Sequence, residues 1–187
     1  MNFPGIPSLD AAVMAFIQTH FHNTVTDTVF PIITSLGEAG IGWIVLSLVL
    51  LCFKKTRRTG GLVLIAMTVT LLFGELTLKN IICRLRPCNV FTDFPMLIAR
   101  PTSYSFPSGH TSSSFAAALI LTLRHKKVGW LAYIPAVLIA FSRIFLFVHY
   151  PTDVLAGILL GTLAALLTYF AAKAIQKRQA EKRTAQI

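Results

Sequence analysis

Acidic residues are scarce in this chain: Asp and Glu number 7 against 17 Lys and Arg, giving a formal net charge of +10 over 187 residues. Residues 1–53 have neither lysine nor arginine, which argues against a cleaved signal peptide with its basic n-region. Charge of either sign is thin, at 13% of residues against 55% hydrophobic, and the apolar residues come in long blocks where a soluble domain would alternate them. There is no internal repeat, no low-complexity linker and no metal-type spacing among Cys52, Cys83 and Cys88. If Cys83 and Cys88 face an oxidising side, a disulfide is within reach, with free buried thiols the favoured reading.

The apolar blocks exclude a soluble enzyme and predict an all-α integral membrane bundle. A bilayer core of roughly 30 Å takes about 20 apolar residues per helix. Five stretches qualify, at about 38–53, 61–83, 107–123, 128–148 and 152–174, the first of them short. One domain covers residues 1–187: interfacial helices over 1–36, a helical bundle over 37–175 and a basic tail over 176–187. Within 1–36, Leu9, Val13, Phe16 and Ile17 recur at helical spacing behind Ser8 as N-cap, with Asp10 in the first turn. A second helix near 24–36 is expected to be interrupted at Pro31, with His20 and His22 solvated in the turn between.

The basic surplus is not spread as a nucleic-acid-binding stripe, and no nucleic-acid partner is expected. Lys54, Lys55, Arg57 and Arg58 fill one short loop, Arg124, Lys126 and Lys127 another, and Lys173 to Arg183 crowd the C-terminal end. With five spans these segments share one side, which the positive-inside rule makes cytoplasmic, together with the C-terminus. The bilayer is therefore the expected partner, and the sequence assigns no oligomeric state.

Ionised groups at membrane depth cost roughly 2.5–3.5 kcal/mol on insertion scales, so each asks for a partner or a task. The five-span topology gathers Lys79, Arg86, His110, Arg143, His149 and Asp153 at the outer side. Three cations suit a phosphate, two of them as planar forks. Pro107, read as the first residue of a helix, would aim the N–H groups of Ser108, Gly109 and His110 at an anion, with the Ser108 hydroxyl as a further donor. Thr111 to Ser114 read as packing residues that bond their own helix. Pro151 at the start of the last helix puts Asp153 near its third position, where a carboxylate can orient the His149 ring. So oriented, His149 can attack phosphorus while His110 serves as general acid or base. Carboxylates near this set are few and the field is positive, so no metal and no cofactor is expected. Glu75, one turn before Lys79, reads as a structural ion pair rather than a proton relay, and Gly157 and Gly161 as a close-packing step within the bundle.

In "KNIICRLRP" (Lys79, Arg86, Pro87), "PSGH" (Pro107 to His110) and "SRIFLFVHYPTD" (Ser142, Arg143, His149, Asp153), the chain resembles the type 2 phosphatidic acid phosphatase family. All three parts of its signature stand in order at full spacing. The resemblance implies His149 as nucleophile, Asp153 as its orienter and His110 as the acid that protonates the leaving group. It implies phosphate binding by Lys79, Arg86, Ser108, Gly109 and Arg143 without a metal. Soluble vanadium haloperoxidases share the signature, and the membrane spans favour a lipid phosphatase. Undecaprenyl diphosphate, phosphatidylglycerol phosphate and phosphatidic acid are the substrates the resemblance brings, with the loop 88–106, carrying Asp93 and Arg100, capping the site. The rival expectation is a small transporter or flippase that binds an anionic lipid headgroup without hydrolysing it.

Overall fold

A computed structural model describes residues 3–184, all of whose regular structure is helical. The chain enters through α1 (Ser8–His20) and α2 (Thr24–Leu36). Ser8 is the first helical residue of α1 and Pro7 the cap, without a side-chain bond. The face of α1 that packs inward is Asp10, Met14, Ile17 and Gln18, while Leu9 and Phe16 of the expected apolar stripe point outward. Gln18 fastens this helix by donating to the carbonyls of Ile144 and Phe145, at 3.3 and 3.0 Å. His22 is not simply solvated: it bonds Asp27 at 2.7 Å and stacks on Phe145, with ring centroids 4.1 Å apart.

Asn23 starts α2 with a capping box, accepting from the N–H groups of Val25 and Thr26 while the Thr26 hydroxyl accepts from Asn23 N–H. The helix then runs through Pro31 without the expected interruption. Proline's φ is helical, and its missing N–H deprives only the carbonyl four residues back. A turn at Glu38–Gly40, with Ala39 and Gly40 at φ of 48° and 71°, leads into α3 (Ile41–Cys52). Together α2 and α3 form a pair bent by 44° that is long and apolar enough for one crossing, which extends the short first span expected.

Helix α4 (Arg57–Thr70) continues through a π-helical segment, Leu71–Leu78, into the short α5 (Lys79–Ile82). Cys83, at φ 50°, ends it. The short α6 (Pro87–Val90) opens the loop that reaches α7 (Gly109–Arg124). A 3-10 turn at Gly129–Ala132 precedes α8 (Tyr133–Phe145), and α9 (Pro151–Thr184) completes the bundle. By length and composition, the run Arg57–Val90 and α9 each suffice to cross a membrane. Helices stand at the other expected spans too, but α7 has 16 residues and α8 13. The tail expected from 176 is a helical extension of α9 as far as Thr184.

Helix α7 is the central post. Its Thr111, Ser114, Ala116, Ala117 and Ala118 are fully buried, and small side chains let α9 approach closely. A Cβ on Gly161 would lie 2.3 Å from the Ser112 carbonyl oxygen, and one on Gly157 would lie 2.7 Å from that of Ser108. The GxxxG step thus packs inside the bundle. Trp43 of α3 locks onto the same post, its indole N–H donating to Ser114 Oγ at 2.9 Å. Large apolar side chains such as Leu72, Phe73, Leu159 and Leu167 point outward, the surface a bilayer requires. The three cysteines are free thiols.

Candidate active site

Ends of α2, α5, α7 and α8 border a cavity of about 1130 Å³. Lys79, Arg86, Gly109, His110, Arg143 and His149 line it, so six of the eight expected site residues converge on one space. Asp153 stands behind His149, fully buried.

Local chain geometry puts Arg143 and His149 side by side. After α8 the backbone folds back, so the N–H groups of both Val148 and His149 donate to the Arg143 carbonyl, at 3.2 and 3.1 Å. Phe147 takes φ 58° to make this turn, a conformation of non-glycine residues that persists only where surroundings fix it. Its ring is clamped against Phe94, centroids 3.9 Å apart.

The His149 ring has defined edges. Arg86 Nη1 lies 2.9 Å from Nε2, and because a guanidinium only donates, Nε2 must be the acceptor. The ring proton therefore sits on Nδ1, which faces Asp153 Oδ2 at 3.5 Å and Ser105 Oγ at 3.4 Å. Ser105 bridges the two, donating to Asp153 Oδ2 at 2.5 Å. As expected, α9 begins at Pro151, and Asp153 reaches back to accept the Tyr150 N–H at 3.0 Å. The lone pair of Nε2 thus faces the cations and the cavity, with a buried carboxylate behind.

Asp153 is anchored from a direction the sequence did not show. Arg84 donates to Asp153 Oδ1 at 2.6 Å and to Asp10 Oδ2 at 2.7 Å, with its guanidinium 3.8 Å from the Tyr150 ring centroid. Asp10, expected only as a first-turn acid of a surface helix, is fully buried and also accepts from the N–H and hydroxyl of Thr152. Residues Asp10, Arg84 and Ser105 were missed. An acid in the first turn of α1 and a second arginine within "CRLRP" were the available signals.

The cations differ in what already holds them. Lys79 donates to both oxygens of Glu75, at 2.7 and 2.6 Å, so the expected i, i+4 pair is present. Arg86 is held by neutral acceptors, Ser103 O at 2.7 Å and Val148 O at 2.9 Å, besides His149. Arg143 donates to Thr34 Oγ1 at 2.5 Å, and its Nε has no partner. Both arginines are 3% exposed, and neither has a carboxylate within ion-pair distance among the described residues. Buried, unneutralised guanidiniums are expensive unless an anion joins them.

Around the start of α7 two details depart from expectation. The helix begins at Gly109 with Ser108 as its N-cap, so Pro107 lies outside it. The Ser108 N–H donates to the Asp153 carbonyl at 3.1 Å, and its hydroxyl bonds Thr111 Oγ1 at 2.9 Å and accepts from Thr111 N–H. Ser108 is fully buried and does not line the cavity, so it caps the helix instead of offering a donor to a ligand. His110 does line the cavity; its Nε2 lies 3.6 Å from Glu38 Oε2 and makes no hydrogen bond. In the loop after α6, Arg100 binds the carbonyls of Cys88, Thr92 and Phe94 and borders the cavity, whereas Asp93 is exposed.

The sequence matches the PAP2 superfamily over residues 59–177. It is 39% identical over 127 residues to an undecaprenyl-diphosphatase of Sulfolobus acidocaldarius, an alignment covering 67% of this chain and 61% of that protein. The chain thus spans about three fifths of that relative's length. A protein of Bacillus licheniformis named bacitracin transport permease protein is 33% identical over 145 residues, covering 76% of this chain and 71% of the relative. The crystal structure of a transmembrane phosphatidylglycerolphosphate phosphatase from Bacillus subtilis superposes with a TM-score of 0.73 at 29% identity, over 92% of this chain and 89% of that one. With site and bundle agreeing, the chain belongs to the PAP2 superfamily.

Proposed function

We propose that the protein is a membrane-embedded lipid phosphate or diphosphate phosphatase that works through a phosphohistidine at His149. The observation that carries this reading is the pair of buried guanidiniums without carboxylate partners, Arg86 and Arg143, lining one cavity with the His149 ring. A phosphoryl group is the anion that satisfies both forks and meets a nitrogen lone pair.

In the first step Arg86 Nη1 transfers its hydrogen bond from His149 Nε2 to the phosphoryl group, the freed Nε2 attacks phosphorus as the bond to the leaving oxygen breaks, and His110 donates a proton to that oxygen. The imidazolium that develops is stabilised through Nδ1–H by Asp153 and Ser105. Lys79, Arg86, Arg143 and the α7 start at Gly109 carry the charge that builds on the equatorial oxygens. In the second step His110 takes a proton from water, whose oxygen attacks the phosphohistidine; the P–N bond breaks and inorganic phosphate leaves. No metal has a task in either step, so activity should survive a chelator and be inhibited by vanadate.

The same cavity extends along apolar side chains of α3, α4 and the π-helical segment, including Ile44, Leu64, Met67 and Leu71, where the chain of a lipid can lie beside its phosphate. An undecaprenyl diphosphate or a phosphatidylglycerol phosphate fits this arrangement, and both appear in the names of similar proteins. The basic loops, through the positive-inside rule, support a site that faces the extracytoplasmic side and a C-terminus in the cytoplasm. The experiment is phosphate release by the purified chain in detergent, offered lipid mono- and diphosphates. Binding without release would favour the transport reading, which the relative's name permease supports. Sidedness is tested with single cysteines at Thr102 and Lys55 in intact cells: only the former should react with an impermeant reagent.

A further inference from the structure

Glu75 does more than partner Lys79. It lies in the π-helical segment Leu71–Leu78, whose wider turn carries its side chain to the cavity wall. Both its oxygens sit on the Lys79 ammonium, at 2.7 and 2.6 Å. Across the cavity edge, a Cβ built on Gly109 would fall 2.0 Å from Glu75 Oε1. Gly109 is the first residue of α7, where a glycine leaves room for an anion to approach the positive end of a helix. That room holds an anion already, the carboxylate of Glu75.

We infer that Glu75 is a resident anion of the phosphate subsite, which occupies the place between Lys79 and Gly109 in the empty enzyme and competes there with substrate phosphate and with the phosphate product. The inference rests on the reading of Lys79 and Gly109 as phosphate-binding residues. An ordinary structural ion pair would need only the Lys79 contact and would not require a glycine opposite. A carboxylate held by an ammonium and lying against the first residue of a helix stands where a phosphate would. The Glu75 side chain is 32% exposed against 7% for Lys79, so the carboxylate is the partner with space to withdraw when a ligand arrives. Its return helps expel inorganic phosphate, the tightly held dianion that three cations would otherwise retain.

The two roles predict opposite signs. If Glu75 only positions Lys79, Glu75→Gln misplaces the ammonium and weakens phosphate binding. If Glu75 competes, Glu75→Gln frees the subsite and strengthens it. A site blocked nine-tenths of the time shows about tenfold weaker apparent affinity, so a gain of about that size is expected. Inorganic phosphate is the probe, measured on the full purified chain in two ways: the rise in thermal unfolding temperature with phosphate concentration, and inhibition of aryl phosphate hydrolysis. The variant should bind phosphate roughly tenfold more tightly, with a lower KM. Unchanged or weaker phosphate affinity in the variant, while the wild type hydrolyses lipid phosphates, overturns the inference alone. If neither protein binds phosphate, it falls together with the phosphate reading of the site. Should Glu75→Gln not fold, Glu75→Asp, whose carboxylate is one methylene shorter and draws back from Gly109, carries the same expectation of sign.

Discussion

Asp10 Oδ1 accepts the backbone N–H of Thr152 at 2.9 Å, though 142 residues separate them, and so ties the first helix of the chain to the first turn of the helix that carries Asp153. Its other oxygen takes the Thr152 hydroxyl and Arg84, and Arg84 in turn holds Asp153. Helix α1 is thereby part of the support of His149, the proposed nucleophile.

Asp10→Asn keeps the shape and removes the charge. Breaking a fully buried pair costs about 3–5 kcal/mol. The Arg84 side chain is 24% exposed, so a smaller loss is expected, with a lowered unfolding temperature and a reduced kcat at little change in KM. Thermal unfolding in detergent and steady-state kinetics check it; a variant normal in both would remove Asp10 from the support of the site.

Ser105→Ala removes the hydroxyl between His149 and Asp153. Hydrogen bonds to charged groups contribute about 1.5–3 kcal/mol, so kcat should fall roughly 10- to 100-fold. Binding of vanadate, which needs the cations and not this hydroxyl, should change little.

Gly161→Ala places a methyl 2.3 Å from the Ser112 carbonyl oxygen at the α7 and α9 crossing. Overpacking there should cost about 1–3 kcal/mol. Gly61→Ala is the control, since its Cβ meets nothing within 4 Å and alanine favours a helix interior. Equal unfolding temperatures for the two variants would contradict the packing seen here.

The expected roles rested on residues close in sequence. His149 and Asp153 are four apart and joined by a helix start, and the motif carrying Gly109 and His110 opens its own helix, so spacing alone places them. The Glu75 and Lys79 pair was legible for the same reason. Its approach to Gly109 was not, because the helices that bring those residues together are distant in sequence and meet only in the bundle. Asp10 reads as a surface acid beside the stripe of Leu9, Val13, Phe16 and Ile17, whereas the bundle takes a rotated face that keeps Ile17, partly covers Val13, buries Asp10 and leaves Leu9 and Phe16 outward. Ser108 was misjudged by one helical position: with the helix beginning at Gly109, its hydroxyl becomes the cap.

The most direct test of the account is rapid-quench analysis with a radiolabelled aryl phosphate, comparing His110→Ala with His149→Ala after folding is verified by size exclusion. Phenolate leaves with little need of an acid, whereas water attacking the phosphohistidine needs a base. His110→Ala should therefore give a burst of phenolate, then slow turnover, with acid-labile phosphate held on the protein. His149→Ala should give neither burst nor label. A normal burst and bound phosphate in His149→Ala would contradict the assignment of His149 as nucleophile, and with it the mechanism.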